Sequence, residues 1–126
     1  MADNFADQLH WIDTQQEQMV RLVATWSSIN SWSYNLDGLA RMGNALVQEF
    51  EILDGQIQHV ELAPQSVVDA NGNIVDKPLG KAIQISKRPE APVQVLLAIH
   101  MDAVHRPSGL SETRLDGSSA ARPRRG

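Results

Sequence analysis

The sequence contains no cysteine, which excludes disulfides and thiolate metal sites and suits a reducing compartment. It also has no apolar run near the ~20 residues that a bilayer-crossing helix needs, so no membrane span is expected. The opening stretch MADNFADQLH is acidic and polar where a secretory signal is basic, and a cytoplasmic location follows as the expectation. No internal repeat is visible. With 126 residues the chain is one domain at most.

Positive charge is scarce over most of the chain. Residues 1–105 hold six Lys/Arg against thirteen Asp/Glu, whereas residues 106–126 hold five Arg against only Glu112 and Asp116. This reversal of sign marks two pieces, a body of residues 1–105 and a tail of residues 106–126. The tail has no aromatic residue, and Leu110, Leu115, Ala120 and Ala121 are its apolar side chains. Burying these cannot offset a backbone ordering cost of ~1–2 kcal/mol per residue, so this Arg/Ser/Gly/Pro-rich tail is expected to be disordered. Its arginines lack stacking aromatics and belong to an acidic chain, so nucleic-acid binding is not expected.

The body begins as an amphipathic helix. Phe5, Leu9, Ile12, Met19, Val23 and Trp26 recur at steps of three and four, with Gln16 the polar interruption. SSINSWSYN then breaks the pattern as a loop. Asn35 is suited to cap a second helix with Asp37 in its first turn, and the stripe Leu36, Leu39, Gly43, Leu46, Val47 and Phe50 gives that helix a core face. Gly55 is placed to end it in a left-handed cap.

From Gln56 the period becomes two. Ile57, Val60 and Leu62 start a strand that Pro64 stops, and VVDANGNIV signals a hairpin turning at Asn71-Gly72. Lys81 to Lys87 alternates as a half-exposed strand. After the turn KRPEAP, the run Val93–Ile99 is continuously apolar, the mark of a strand covered on both faces. Two helices followed by strands with a central buried one predict an α/β fold with a mixed sheet. Trp11, Trp26 and Trp32 are expected to serve packing, with substrate contact as the second reading for Trp32.

The apolar run VQVLLAIHMDAVH delivers His100 and Asp102 to its carboxyl end, where open α/β sheets collect functional groups. Imidazole is a good zinc ligand once its second ring nitrogen is held, and an aspartate two residues on can hold it. A histidine ending a strand is more often a hydrogen-bonded structural residue, and His-x-Asp arises often by chance. His10 falls in the first helix, His59 in the first strand, and His105 at the edge of the tail.

VLLAIHMDAV resembles the His-x-Asp motif of the zinc-dependent metallopeptidases that include glutamate carboxypeptidase, acetylornithine deacetylase, succinyl-diaminopimelate desuccinylase and the aminoacylases. INSWSYNLDGLARMGNALVQEF is similar to that family's amino-terminal loop and helix, and KPLGKAIQISKRPEAPVQVLL to the two strands before the motif. The likeness covers roughly residues 8 to 104 and is nearest the glutamate carboxypeptidase-like branch. It implies the amino-terminal part of a three-layer α/β/α catalytic domain of a hydrolase that cleaves the amide bond of a peptidyl or N-acyl amino acid at two zinc ions. By position, His100 matches a zinc ligand and Asp102 the catalytic-site aspartate behind it. Ile99 and Trp32 stand where the family has glycine, and Ala103 where it has threonine.

The family's bridging aspartate, glutamate pair, further acidic ligand and distant histidine have no counterpart in this sequence. A G/C-rich back-translation of Ser119 to Gly126, moved one base along, is similar to the family's glycine-rich segment, so a frameshifted tail is one expectation. Hydrolytic zinc needs about three protein ligands and a base, so the chain alone is expected to be inactive and to bind no zinc tightly. The alternative is a non-catalytic α/β protein that binds a partner or self-associates through its unfinished sheet.

Overall fold

A computed structural model describes residues 5–104. The expectations for His105 and for the tail of residues 106–126 lie outside them. The described residues form a mixed α/β chain and fall into two units, residues 5–28 and residues 29–104.

The first unit is helical, with a break where one continuous helix was expected. Helix α1 spans Ala6–Thr14 and α2 spans Gln16–Ser27. The interruption follows from local competition for carbonyls. The Thr14 hydroxyl donates to the Trp11 carbonyl at 2.6 Å, and the Gln15 amide takes the Ile12 carbonyl at 2.9 Å, a three-residue reach. No residue of α1 or α2 is buried, and Trp11 is exposed, whereas Trp26 is half-buried. Glu17 and Arg21 pair across one turn of α2 on its exposed face.

The second unit starts with the loop at residues 29–35 and helix α3, Leu36–Phe50. Asn35 caps α3 as expected, its Oδ1 accepting from the Gly38 amide at 3.2 Å. Leu39, Met42 and Gly43 are buried, Leu46 and Val47 half-buried, and Phe50 reaches solvent. A short 3₁₀ turn at Glu51–Leu53 follows, and the left-handed residue is Asp54 (φ 50°, ψ 45°), not Gly55. Aspartate tolerates that conformation. Gly55 serves a different need, because a Cβ there would lie 3.0 Å from the Ser86 carbonyl oxygen.

Strand β1 (Gln56–Val60) pairs antiparallel with β4 (Ala82–Ser86), with Gln58 opposite Gln84 at the centre. Between them a separate hairpin joins β2 (Gln65–Val68) to β3 (Ile74–Lys77). Its turn uses Gly72 at φ 84°, as Asn71-Gly72 promised. The Asp69 carboxylate accepts from the Asn71 and Asn73 amides at 2.8 and 2.9 Å, which holds its pKa below the usual 3.8. Helix α3 covers the two-stranded sheet at close quarters: a Cβ on Gly43 would stand 3.1 Å from Ile83 Cδ1, and one on Gly80 would stand 2.9 Å from Leu39 Cδ1.

The central strand does not form. Residues 94–100 carry no regular structure, and Val95, Leu96, Leu97 and Ile99 are exposed at 77, 89, 90 and 95%. A strand apolar on both faces needs neighbours at its edges and a layer on each side. Among the described residues neither is supplied, because β4 is paired with β1 alone. No helix among these residues is long and apolar enough to cross a membrane.

Candidate functional site

The segment that carries His100 and Asp102 is anchored by the loop before α3. That loop carries short polar side chains, Asn30, Ser31, Ser33 and Asn35, that bond to protein groups. Asn35, besides capping α3, donates from Nδ2 to the Asn30 carbonyl at 2.8 Å, and so fastens the loop to the helix. From this base the loop grips residues 101–103. Ser31, only 2% exposed, donates from Oγ to the Met101 carbonyl at 2.9 Å. Its own carbonyl accepts from the Ala103 amide at 2.9 Å, beside a parallel bridge between Trp32 and Ala103. Ser33 Oγ donates to Asp102 Oδ2 at 2.5 Å.

The aspartate therefore faces two donors. Oδ2 receives the Ser33 hydroxyl, and Oδ1 lies 3.0 Å from His100 Nδ1, which is also 2.9 Å from the Asp102 carbonyl. Both partners of Nδ1 are acceptors, so this nitrogen carries the proton and the lone pair of the neutral ring sits on Nε2. The Ser33 hydrogen bond is the largest influence on the Asp102 carboxyl and holds it below its usual 3.8; burial opposes it, and the His100 hydrogen bond adds a smaller lowering. The His100 side chain is 80% exposed and that of Asp102 40%, so Nε2 faces solvent.

Trp32 has a packing partner in Tyr34, at 5.2 Å and near-perpendicular, and Lys77 Nζ sits 4.5 Å over the Tyr34 ring. The Tyr34 hydroxyl donates to Gln65 Oε1 at 3.3 Å, which links the loop to the β2–β3 hairpin. Sequence reasoning placed His100 and Asp102 but missed Ser31 and Ser33. The available signal was the Ser-x-Ser spacing in NSWSYN, which sends two hydroxyls from one short loop.

Two other histidines lie among the described residues. His10 lies on α1, in the other unit, and His59 on β1 lines an open cleft of about 360 Å³ between α3 and the sheet, with Leu36, Leu39, Gly43 and Ile83. The Glu61–Lys81 ion pair, 2.6 Å and exposed, stands at that cleft, and neither His100 nor Asp102 lines it. Among the described residues no three His, Asp or Glu side chains converge as metal ligands would. Compared with protein-family models, curated proteins and solved structures, the chain matches none. The resemblance to the zinc metallopeptidases thus rests on the motifs alone.

Proposed function

We propose that the body of the chain, residues 1–105, is the amino-terminal part of a zinc-dependent metallohydrolase catalytic domain of three-layer α/β/α design. In this reading they belong to the glutamate carboxypeptidase-like branch, which cleaves the amide bond of a peptidyl or N-acyl amino acid. Their contribution is one metal-binding imidazole, His100, and the carboxylate that orients it, Asp102; by themselves they are not catalytic. The observation that carries this reading is the His100 Nδ1–Asp102 Oδ1 contact at 3.0 Å, which leaves Nε2 as an outward donor atom. A metal-bound histidine is held by a carboxylate in this way. A cysteine-free, cytoplasmic protein is consistent with it.

The residues described do not make up a zinc centre. Zinc in a hydrolase takes about three protein ligands and keeps one position open for water. Both oxygens of Asp102 are engaged, by Ser33 and by His100, so this carboxylate orients rather than ligates. One imidazole remains. What the zinc ions would supply in the parent family is activation of water for amide cleavage, and no step of that kind is assigned to these side chains.

Zinc titration of the full chain by calorimetry tests the reading. Binding weaker than micromolar, abolished by His100→Ala, is the expected result. Weak binding unchanged by His100→Ala would remove His100 from the metal. Sub-micromolar affinity, or chelator-sensitive cleavage of an N-acyl amino acid by this chain alone, would overturn the claim that one ligand is all it offers.

A further inference from the structure

The loop before α3 sends consecutive side chains in two directions, one toward the His100–Asp102 pair and one to a hairpin with no part in the function proposed above. The Asn35 amide donates to the Trp32 carbonyl at 2.7 Å, so Trp32–Asn35 is a turn with Ser33 and Tyr34 at its centre. Among the described residues neither of these two makes a backbone–backbone hydrogen bond. Their side chains are what hold the tip of the turn. Ser33 reaches Asp102, and Tyr34 reaches the β2–β3 hairpin.

The hold on Tyr34 has two arms. Lys77 Nζ lies 4.5 Å over the ring centroid, and Gln65 Oε1 accepts from the phenol at 3.3 Å. Gln65 and Lys77 are register partners at the open end of the hairpin, so closing that pair of strands brings both arms to one ring. The phenol contact is long for an O–H···O bond, which leaves the ammonium over the ring as the stronger arm. Tyr34 packs edge-on against Trp32 at 5.2 Å, and Trp32 bridges to Ala103, the neighbour of Asp102. Hairpin, aromatic pair, turn and residues 101–103 are joined by direct contacts at every step.

We propose that Lys77, with Gln65 beside it, is a positioning residue for His100. By holding Tyr34 it fixes the turn that aims Ser33 at Asp102, and Asp102 holds Nδ1 of the imidazole. The functional meaning rests on His100 being the metal-binding group, as read above. Neither hairpin residue meets metal or substrate; the hairpin is a brace. An exposed cation–π contact shifts an equilibrium by roughly two- to fivefold, so the brace adjusts how much of the chain has the posed imidazole.

The test uses the metal-free full chain, so its outcome is separate from that of the zinc titration. NMR reads two quantities in the parent, in Lys77→Gln and in Lys77→Arg. One is protection of the Ala103 amide, which the Ser31 carbonyl holds at 2.9 Å. The other is the share of neutral His100 with its proton on Nδ1, from the ring ¹⁵N shifts at about pH 8. Lys77→Gln is expected to lower Ala103 protection by roughly two- to fivefold and to reduce the Nδ1–H share, while amides of the β1–β4 pair keep their protection. Lys77→Arg should restore both, because a guanidinium also stacks on an aromatic face. Tyr34→Leu, which leaves the hairpin's own residues intact, should reproduce the Lys77→Gln loss. Unchanged Ala103 protection in Lys77→Gln and Tyr34→Leu overturns the inference. So does an equal fall at every amide, or a fall at Ala103 that leaves the His100 tautomer unmoved.

Discussion

Gly38→Ala asks how firmly α3 depends on the loop that precedes it. A Cβ at Gly38 would lie 1.8 Å from the Asn30 carbonyl oxygen, 2.5 Å from Asn35 Nδ2 and 2.9 Å from Asn35 Cγ. The first of these is roughly 1.5 Å inside an ordinary carbon–oxygen contact, and its partner is backbone, which cannot rotate away. The loop must move, and with it the cap from Asn35 to the Gly38 amide and the bond from Asn35 to Asn30. Loss of the cap costs about 1 kcal/mol, and the steric insertion about 1–3 kcal/mol. Alanine's better helix propensity returns at most about 1 kcal/mol. The balance is a loss of about 1–3 kcal/mol. Urea denaturation followed by circular dichroism should show the midpoint fall by roughly 0.3–3 M at unchanged slope, given ~1–3 kcal/mol per M for small domains. A variant as stable as the parent would refute the packing of Gly38 against Asn30, and with it the fastening of the loop to α3.

Asp69→Asn should reduce the acid sensitivity of the β2–β3 hairpin. The folded carboxyl titrates below 3.8, chiefly because the Asn73 amide donates to it, so its contribution is present above the unfolded value and is lost as pH falls below about 4. Protection of the Asn71 and Asn73 amides relative to their intrinsic exchange rates, measured from pH 6 down to pH 3, should fall in the parent and stay nearly flat in the variant. His100→Ala should leave the urea midpoint within about 0.5 kcal/mol of the parent, as expected for an exposed side chain, while it abolishes the weak zinc binding. A large loss of stability would mark His100 as structural instead.

Local signals of the fold were legible where one residue type does one job. Asn35 as a cap and Gly72 at a positive-φ turn position are chemistry that no tertiary contact needs to supply. The alternation of Ala82–Ser86 was legible for the same reason, because a half-covered strand records its cover in its pattern. Val93–Ile99 misled because apolarity reports what a segment would prefer to bury, not whether neighbours are there to bury it. The same holds for Leu9, Ile12 and Val23, periodic yet exposed. At the site, His100 and Asp102 stood out as residue types placed at the end of an apolar run. Ser31 and Ser33 did not, because their Ser-x-Ser spacing shows two hydroxyls on one loop but not their partners about seventy residues away.

The role given to His100 depends on the loop before α3 posing Asp102, and through it the imidazole. The ¹³C shift of the Asp102 carboxyl, followed against pH in the parent and in Ser33→Ala, tests this most directly. The parent midpoint should lie below the ordinary 3.8, since the Ser33 hydroxyl favours the ionised form, and it should rise when that hydroxyl is removed. Identical midpoints in the two proteins would contradict the clamp.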